Sequence, residues 1–171
     1  MTKTYNNKGE IKIYPYQDLG YIKHGWLDTR HHFSFGNYHN LNRIHFGALR
    51  VINDDIIASH KGFDFHPHKD MEIITYVRQG AIIHEDNIGN KGRTSAGNIQ
   101  VMSAGTGIVH SEYNGEEKET ILYQIWISPN KLGVTPRWDT KEFSNTLAKN
   151  KLHIVVSGRS EDMNQEGLFI Y

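Results

Sequence analysis

Two short segments constrain this chain more than any others: Gly62-Phe-Asp-Phe-His66-Pro-His68-Lys-Asp-Met-Glu72 and Ser103-Ala-Gly-Thr-Gly107-Ile-Val-His110-Ser-Glu112. Each carries two metal-ligating side chains at positions i and i+2. In an extended strand, residues two apart project from the same face. Two such strands facing each other inside a barrel would aim His66, His68, His110 and Glu112 at one point. A donor set of imidazoles and a carboxylate suits iron, nickel, manganese, copper or zinc. The chain has no cysteine. Disulfides, zinc-thiolate sites and cysteine nucleophiles are therefore excluded together, and any metal must be held by His, Asp or Glu.

A lone buried histidine is ordinarily a core side chain satisfied by a hydrogen bond. The pair His66-x-His68 is less ordinary. Two imidazoles on one face repel if both are charged, and burying both neutral requires two partners. A shared cation meets that need, because the neutral imidazole nitrogen is a ligand. Pro67 gives up a backbone N–H between them, which places the strand at an edge or at the rim of a barrel. Glu72 shares strand parity with His66 and His68 and competes as a ligand; its other readings are a group beside the ligands or a solvated strand carboxylate. Glu112 lies two residues from His110 and is preferred on that ground. His31 and His32 would point to opposite faces if extended. His24, beside Gly25-Trp26, either caps the pocket or bonds a loop. His45, His60, His84 and His153 read as structural or exposed strand residues.

The rest of the chain reads as the container. Short β-branched or alternating runs suggest strands at Glu10–Tyr14, Ile44–Ile52 (ended by Asn53-Asp54-Asp55), Ile56–His60, Met71–Val77, Ala81–Glu85, Gly97–Met102, Ile108–Tyr113, Thr120–Ile127, Lys151–Val156 and Gly167–Tyr171. The turn residues Asp86-Asn-Ile-Gly-Asn90 suggest that Met71–Val77 and Ala81–Glu85 form a hairpin. Residues 21–43 show no sustained period and read as an aromatic-rich irregular segment. Residues 129–150 read as a connector with a short helix from about Lys141 to Leu147. This pattern predicts an all-β chain, and within that class a double-sheet jelly roll.

Basic and acidic residues balance at 19 each, so no electrostatic attraction to nucleic acid or to an anionic membrane is expected. The first residues, Met1-Thr-Lys-Thr-Tyr-Asn-Asn-Lys, lack the apolar core of a signal peptide, and no apolar run approaches the roughly 20 residues of a membrane span. A cytoplasmic location is the expectation. No Ser/His/Asp order and no phosphate-binding glycine loop can be singled out.

The motifs resemble the pirin family of the cupin superfamily, in particular its bacterial members described as quercetin 2,3-dioxygenases. The resemblance rests on His24-Gly-Trp26-Leu-Asp, Phe33-Ser-Phe35, Asn53-Asp54-Asp55, Gly62, His66-Pro67-His68-Lys-Asp-Met-Glu72-Ile, Tyr76, His84-Glu-Asp86, Gly97, Met102-Ser-Ala-Gly105-Thr-Gly107-Ile-Val-His110-Ser-Glu112 and Gln124-Ile-Trp126-Ile. It runs from about residue 20 to 140. It implies a cupin double-stranded β-helix over residues 1–140, with one divalent transition metal, iron first, held by His66, His68, His110 and Glu112. Glu72 matches a family position that is not a ligand.

The resemblance also implies a second barrel without a metal. Residues 141–171 are expected to be a connector and the truncated start of that half. Its two strands would pair within the first barrel or with another subunit, giving a homodimer. The implied activity is dioxygenation of a flavonol by O2, with Glu112 also taking the proton of the flavonol hydroxyl and Phe33, Phe35, Phe46 and Phe65 as candidates for an apolar wall. The nuclear, transcription-linked members of the family imply the alternative, a non-catalytic metal-binding redox-sensing regulator that acts through protein partners.

Overall fold

A computed structural model describes residues 11–143, 150–162 and 167–171. Among them the only helical elements are two 3₁₀ turns, Tyr16–Asp18 and Ser160–Asp162. The strands are β1 (Gly20–His24), β2 (Leu27–His31), β3 (Leu49–Ile57), β4 (Lys61–His68), β5 (Glu72–Gln79), β6 (Ala81–Asp86), β7 (Lys91–Ser95), β8 (Ile99–Ser103), β9 (Ile108–Asn114), β10 (Thr120–Ile127), β11 (Arg137–Lys141), β12 (Val156–Ser157) and β13 (Leu168–Phe169). Seven form one sheet in the order β1-β2-β3-β10-β5-β8-β11, and four form a second in the order β4-β9-β6-β7. All pairings in both sheets are antiparallel. This is the all-β jelly-roll barrel of the cupin type that the strand pattern and the motifs lead one to expect.

Strand alternation fills the interior in layers. At one end Ile57, Val77, Ile82 and Leu122 form an apolar floor, with Trp26, Leu27 and Phe63 packed against it. In the next layer the inward positions turn polar: Asp55, Thr75, His84 and Gln124 two residues further along the same strands, with Gln100 from β8 and Glu112 from β9, all buried. Beyond them Ile73, Met102, Ala104 and Ile108 form a second apolar layer with Met71, Trp126 and Trp138. Fully burying one such aliphatic side chain stabilises the fold by about 1.5–3 kcal/mol. The two apolar layers therefore hold the barrel together around a polar middle.

Several strand expectations are corrected. Residues 11–15 form no strand, and Glu10 lies outside the described residues. Residues 21–31 of the segment expected to be irregular lie in the β1–β2 hairpin, turned by Gly25 at φ 57°. Asn53-Asp54-Asp55 does not end a strand: β3 runs through it into Ile57. Its polar side chains find partners on other strands of the sheet, Asn53 with His31 and Asp55 with Thr29 on β2, and Asp54 with Arg78 on β5. The turn at 86–90 joins β6 to β7, whereas β5 and β6 lie in different sheets. β11 replaces the start of the expected helix at Lys141, and residues 144–147 of that helix lie outside the described residues. His45 and His153 lie outside strands and His60 in a turn.

β12 and β13 pair with each other in parallel, as a separate two-stranded sheet. Leu168 and Ile170 pack with Phe143 on Ile74, Ile99 and Val101 of the large sheet's outer face. β12 and β13 thus pack on the barrel without extending either of its sheets.

Candidate metal centre

The pocket depends on one irregularity in β4. Phe63 is paired with Glu112 and His66 with His110, so three steps on β4 match two on β9. The extra residue is a β-bulge at Asp64–Phe65, a device that re-aims the side chains of the bulged strand. It lets Phe63 join the interior floor while His66 and His68 also turn inward, and it leaves Phe65 on the surface at 57% exposure. The bulged residue also orients its neighbour, because the Asp64 carbonyl lies 2.7 Å from His66 Nδ1. A carbonyl only accepts, so His66 Nδ1 carries a proton, and in the neutral ring the lone pair is the one on Nε2. Gly62 permits the close approach of the two strands: a Cβ there would sit 2.2 Å from the Glu112 carbonyl oxygen. β4 is the edge of its sheet, as Pro67 suggested.

His66, His68 and His110 converge. One ligand atom from each lies within 4.8 Å of the others, and their ring centroids are 4.5–5.0 Å apart. Nε2 of His68 and Nε2 of His110 are buried without a hydrogen-bond partner. Burial, reinforced by neighbouring histidines, lowers the pKa of His68 to about 4 and that of His110 to about 2. Both rings are therefore neutral at pH 7. Converging neutral imidazoles with orphaned, buried nitrogens fit a bound metal ion: an unpartnered polar atom in the interior is costly, and a cation satisfies them together.

Glu112 lies on the same face of β9, one pleat beyond His110, but it does not join this group. It is buried, and its carboxylate is held by three neutral donors. Thr75 Oγ1 (3.2 Å) and Gln100 Nε2 (2.7 Å) donate to Oε1, and Gln124 Nε2 donates to Oε2. Thr94 orients Gln100 (3.1 Å), and Trp126 Nε1 donates to Gln124 Oε1 (3.1 Å). Burial raises the Glu112 pKa to about 7 against these hydrogen bonds.

Glu72 is placed elsewhere. The residues between β4 and β5 reset the parity, so Glu72 faces the outer side of the large sheet. There it is fully buried and accepts from Ser103 Oγ on Oε2 at 2.7 Å, and its Oε1 has no hydrogen-bond partner. It is neither beside the histidines nor solvated.

His84, expected to be structural or exposed, is completely buried and touches the site: its Nδ1 lies 3.3 Å from His110 Nδ1, and its Nε2 lies 3.0 Å from Asp86 Oδ2. The signal was present, since His84-x-Asp86 has the same i, i+2 spacing as the two opening pairs. His31 is buried on Asn53, and His24 is exposed at the end of β1. Of the four phenylalanines considered for an apolar wall, Phe35 stands edge-on to Trp126 at 5.3 Å, and Trp126 edge-on to His68 at 4.9 Å. Phe46 is 77% exposed, and Phe33 lines a surface cleft with Tyr14 and Arg43.

Comparison with known proteins gives a consistent picture. The family model described as Pirin matches residues 13–127. A putative quercetin 2,3-dioxygenase of Zymomonas mobilis is 56% identical over 148 residues, 86% of this chain and 63% of that protein. The quercetin 2,3-dioxygenase of Escherichia coli K12 is 54% identical over 133 residues, 77% of this chain and 58% of that protein. The chain thus spans less than two thirds of the length of these relatives. Among solved structures, the bacterial pirin YhhW of Escherichia coli in complex with nickel(II) superposes with a TM-score of 0.83 at 47% identity, covering 91% of this chain and 65% of that one.

Proposed function

The chain belongs to the pirin family, and from that premise we propose that its histidine pocket holds one divalent transition metal ion and serves the dioxygenation of a flavonol-like aromatic substrate by O2. The observation that carries this reading is the convergence of His66, His68 and His110 with two buried, unpartnered Nε2 atoms. In this reading Glu112 is the fourth protein ligand. Mixed imidazole and carboxylate ligation is compatible with iron, our first choice, and with nickel, manganese, copper or zinc.

When bound, the metal supplies a Lewis-acid and redox centre for chemistry between an electron-rich ring and dioxygen. The chain's own residues bind and orient. Trp126 and Phe35 offer an aromatic wall beside His68 on which a flat ring system packs. Glu112 takes the proton of the substrate hydroxyl. Burial raises the Glu112 pKa in the metal-free pocket, and a cation beside it would lower it again, which keeps the carboxylate ionised and able to accept a proton near neutral pH. Thr75, Gln100 and Gln124 hold its two oxygens in place meanwhile.

The test is an aerobic assay of the metal-loaded chain with quercetin, following flavonol absorbance and oxygen uptake. Turnover is expected with at least one of iron, nickel, manganese or copper. Absence of turnover with all four overturns the dioxygenase reading.

A further inference from the structure

We propose that Asp86 and His84 are positioning residues that fix the tautomer of His110 and so keep its Nε2 lone pair directed into the histidine pocket; this rests on the metal reading above. The relay starts at a carboxylate that only accepts. Asp86 Oδ1 takes the backbone N–H groups of Ile88 (3.1 Å) and Asn90 (2.9 Å), and Oδ2 takes the Asn90 side-chain amide (2.8 Å). Its remaining contact is His84 Nε2 at 3.0 Å. Nε2 of His84 must therefore donate, and in a neutral imidazole the other nitrogen is then an acceptor.

That acceptor, His84 Nδ1, faces His110 Nδ1 at 3.3 Å. Two acceptors cannot share this contact, so His110 Nδ1 carries the proton, and His110 Nε2 is left bare. That bare atom is one of the two buried histidine Nε2 atoms without a partner.

The ring at the centre of the relay is held in plane. Trp138 stacks on His84 with centroids 4.8 Å apart and an interplanar angle of 9°. Gly92 makes room for the indole, since a Cβ there would sit 2.3 Å from Trp138 Cη2. His66 reaches the same tautomer through a backbone carbonyl. His110 reaches it through two side chains on β6, and that makes its state open to mutation from outside the pocket.

Asp86→Asn reverses the relay with little change of shape. Its Oδ1 keeps the backbone bonds to Ile88 and Asn90, its amide donates to His84 Nε2, and the Asn90 side-chain amide, which donates to Oδ2 in the wild type, must turn to present its oxygen as an acceptor. His84 then carries its proton on Nδ1 and donates to His110 Nδ1, so the His110 proton moves to Nε2, where it blocks ligation. Outer partners of metal-binding histidines are typically worth about 10–100-fold in affinity.

The test has two readouts. In metal-free, ¹⁵N-histidine-labelled protein, long-range ¹H–¹⁵N spectra are expected to show His110 protonated on Nδ1 and bare on Nε2, with the pattern inverted in Asp86→Asn. In nickel(II) titrations against a competing chelator, Asp86→Asn and His84→Phe are expected to bind about 10–100-fold more weakly than wild type. A wild-type His110 that carries its proton on Nε2 overturns the proposal, and this measurement needs no variant to fold. So does nickel affinity of a folded Asp86→Asn within twofold of wild type. A wild-type chain that takes up no nickel instead overturns the metal reading itself, and is told apart from failure of the relay, in which both proteins bind equally well.

Discussion

Gln100 Nε2 donates to Glu112 Oε1 at 2.7 Å across the barrel interior, from β8 to β9. With Thr75 and Gln124 it surrounds the carboxylate with neutral donors. These orient a negative charge without neutralising it, and a cation beside His110 would complete the set. Glu112→Gln keeps the size of the side chain and removes the charge. It is expected to lower metal affinity by at least about tenfold, to abolish flavonol turnover and to leave the far-ultraviolet dichroism unchanged. Chelator competition decides the point: wild-type metal affinity in Glu112→Gln would mean that the three histidines hold the ion alone.

Glu72 provides the opposite expectation. Its hydrogen bond runs to Ser103 on the outer face of the large sheet. Glu72→Ala is expected to leave the metal-to-protein ratio unchanged while costing about 1–3 kcal/mol of stability, through a lost buried hydrogen bond and an unpaired partner. Metal analysis beside urea denaturation separates the two effects, and a fall in metal content would return Glu72 to the site.

Why the three histidines were legible and Glu72 was misleading has a physical basis. The i, i+2 rule holds within one regular strand, and His66-x-His68 and His110-x-Glu112 each sit in one. It fails across the residues between His68 and Glu72, where β4 ends and β5 begins in the other sheet. The bulge at Asp64–Phe65 has no signature in the alternation of side chains; it appears only when β4 is laid beside β9. Asn53-Asp54-Asp55 has the composition of a turn, and its role as mid-strand depends on His31, Arg78 and Thr29, which are remote in sequence. His84-x-Asp86 carried the spacing, but Asp86 has the composition of a turn's first residue, and the partner His110 comes from a strand further on.

Leu122 tests the floor of the barrel. It is completely buried on β10 among Ile57, Val77 and Ile82, in the layer beyond Glu112 from the histidines. Leu122→Ala removes buried methyl groups and leaves a cavity in a layer fixed by four strands. A loss of about 2–5 kcal/mol is expected by denaturant unfolding. Metal stoichiometry should be unaffected. A loss below about 1 kcal/mol would mean that the floor collapses around the smaller side chain.

Asp55 gives a pH dependence with a definite sign. It is buried beside Glu112's layer, bonded to Thr29, and burial is the main cause that raises its pKa to about 7, with the charge of Asp54 adding to it. In the unfolded chain an aspartate titrates near 3.9. Between about pH 4 and pH 7 the unfolded state releases this proton while the folded state retains it. Stability from this group is therefore fully present below about pH 4 and is lost as pH rises toward 7, by at most about 1.4 kcal/mol per pH unit. Asp55→Asn accepts from Thr29 in the same way and has no proton to lose. Urea unfolding of the metal-free proteins from pH 4 to pH 8 should show the variant gaining on wild type steadily up to pH 7 and holding a constant lead above it. Glu112, whose pKa burial also raises to about 7, adds a slope of the same sign; because the charge of Asp55 contributes to that rise, the difference between the two curves reports Asp55 together with its coupling to Glu112. Parallel curves across this range would mean that Asp55 is ionised in the folded barrel throughout.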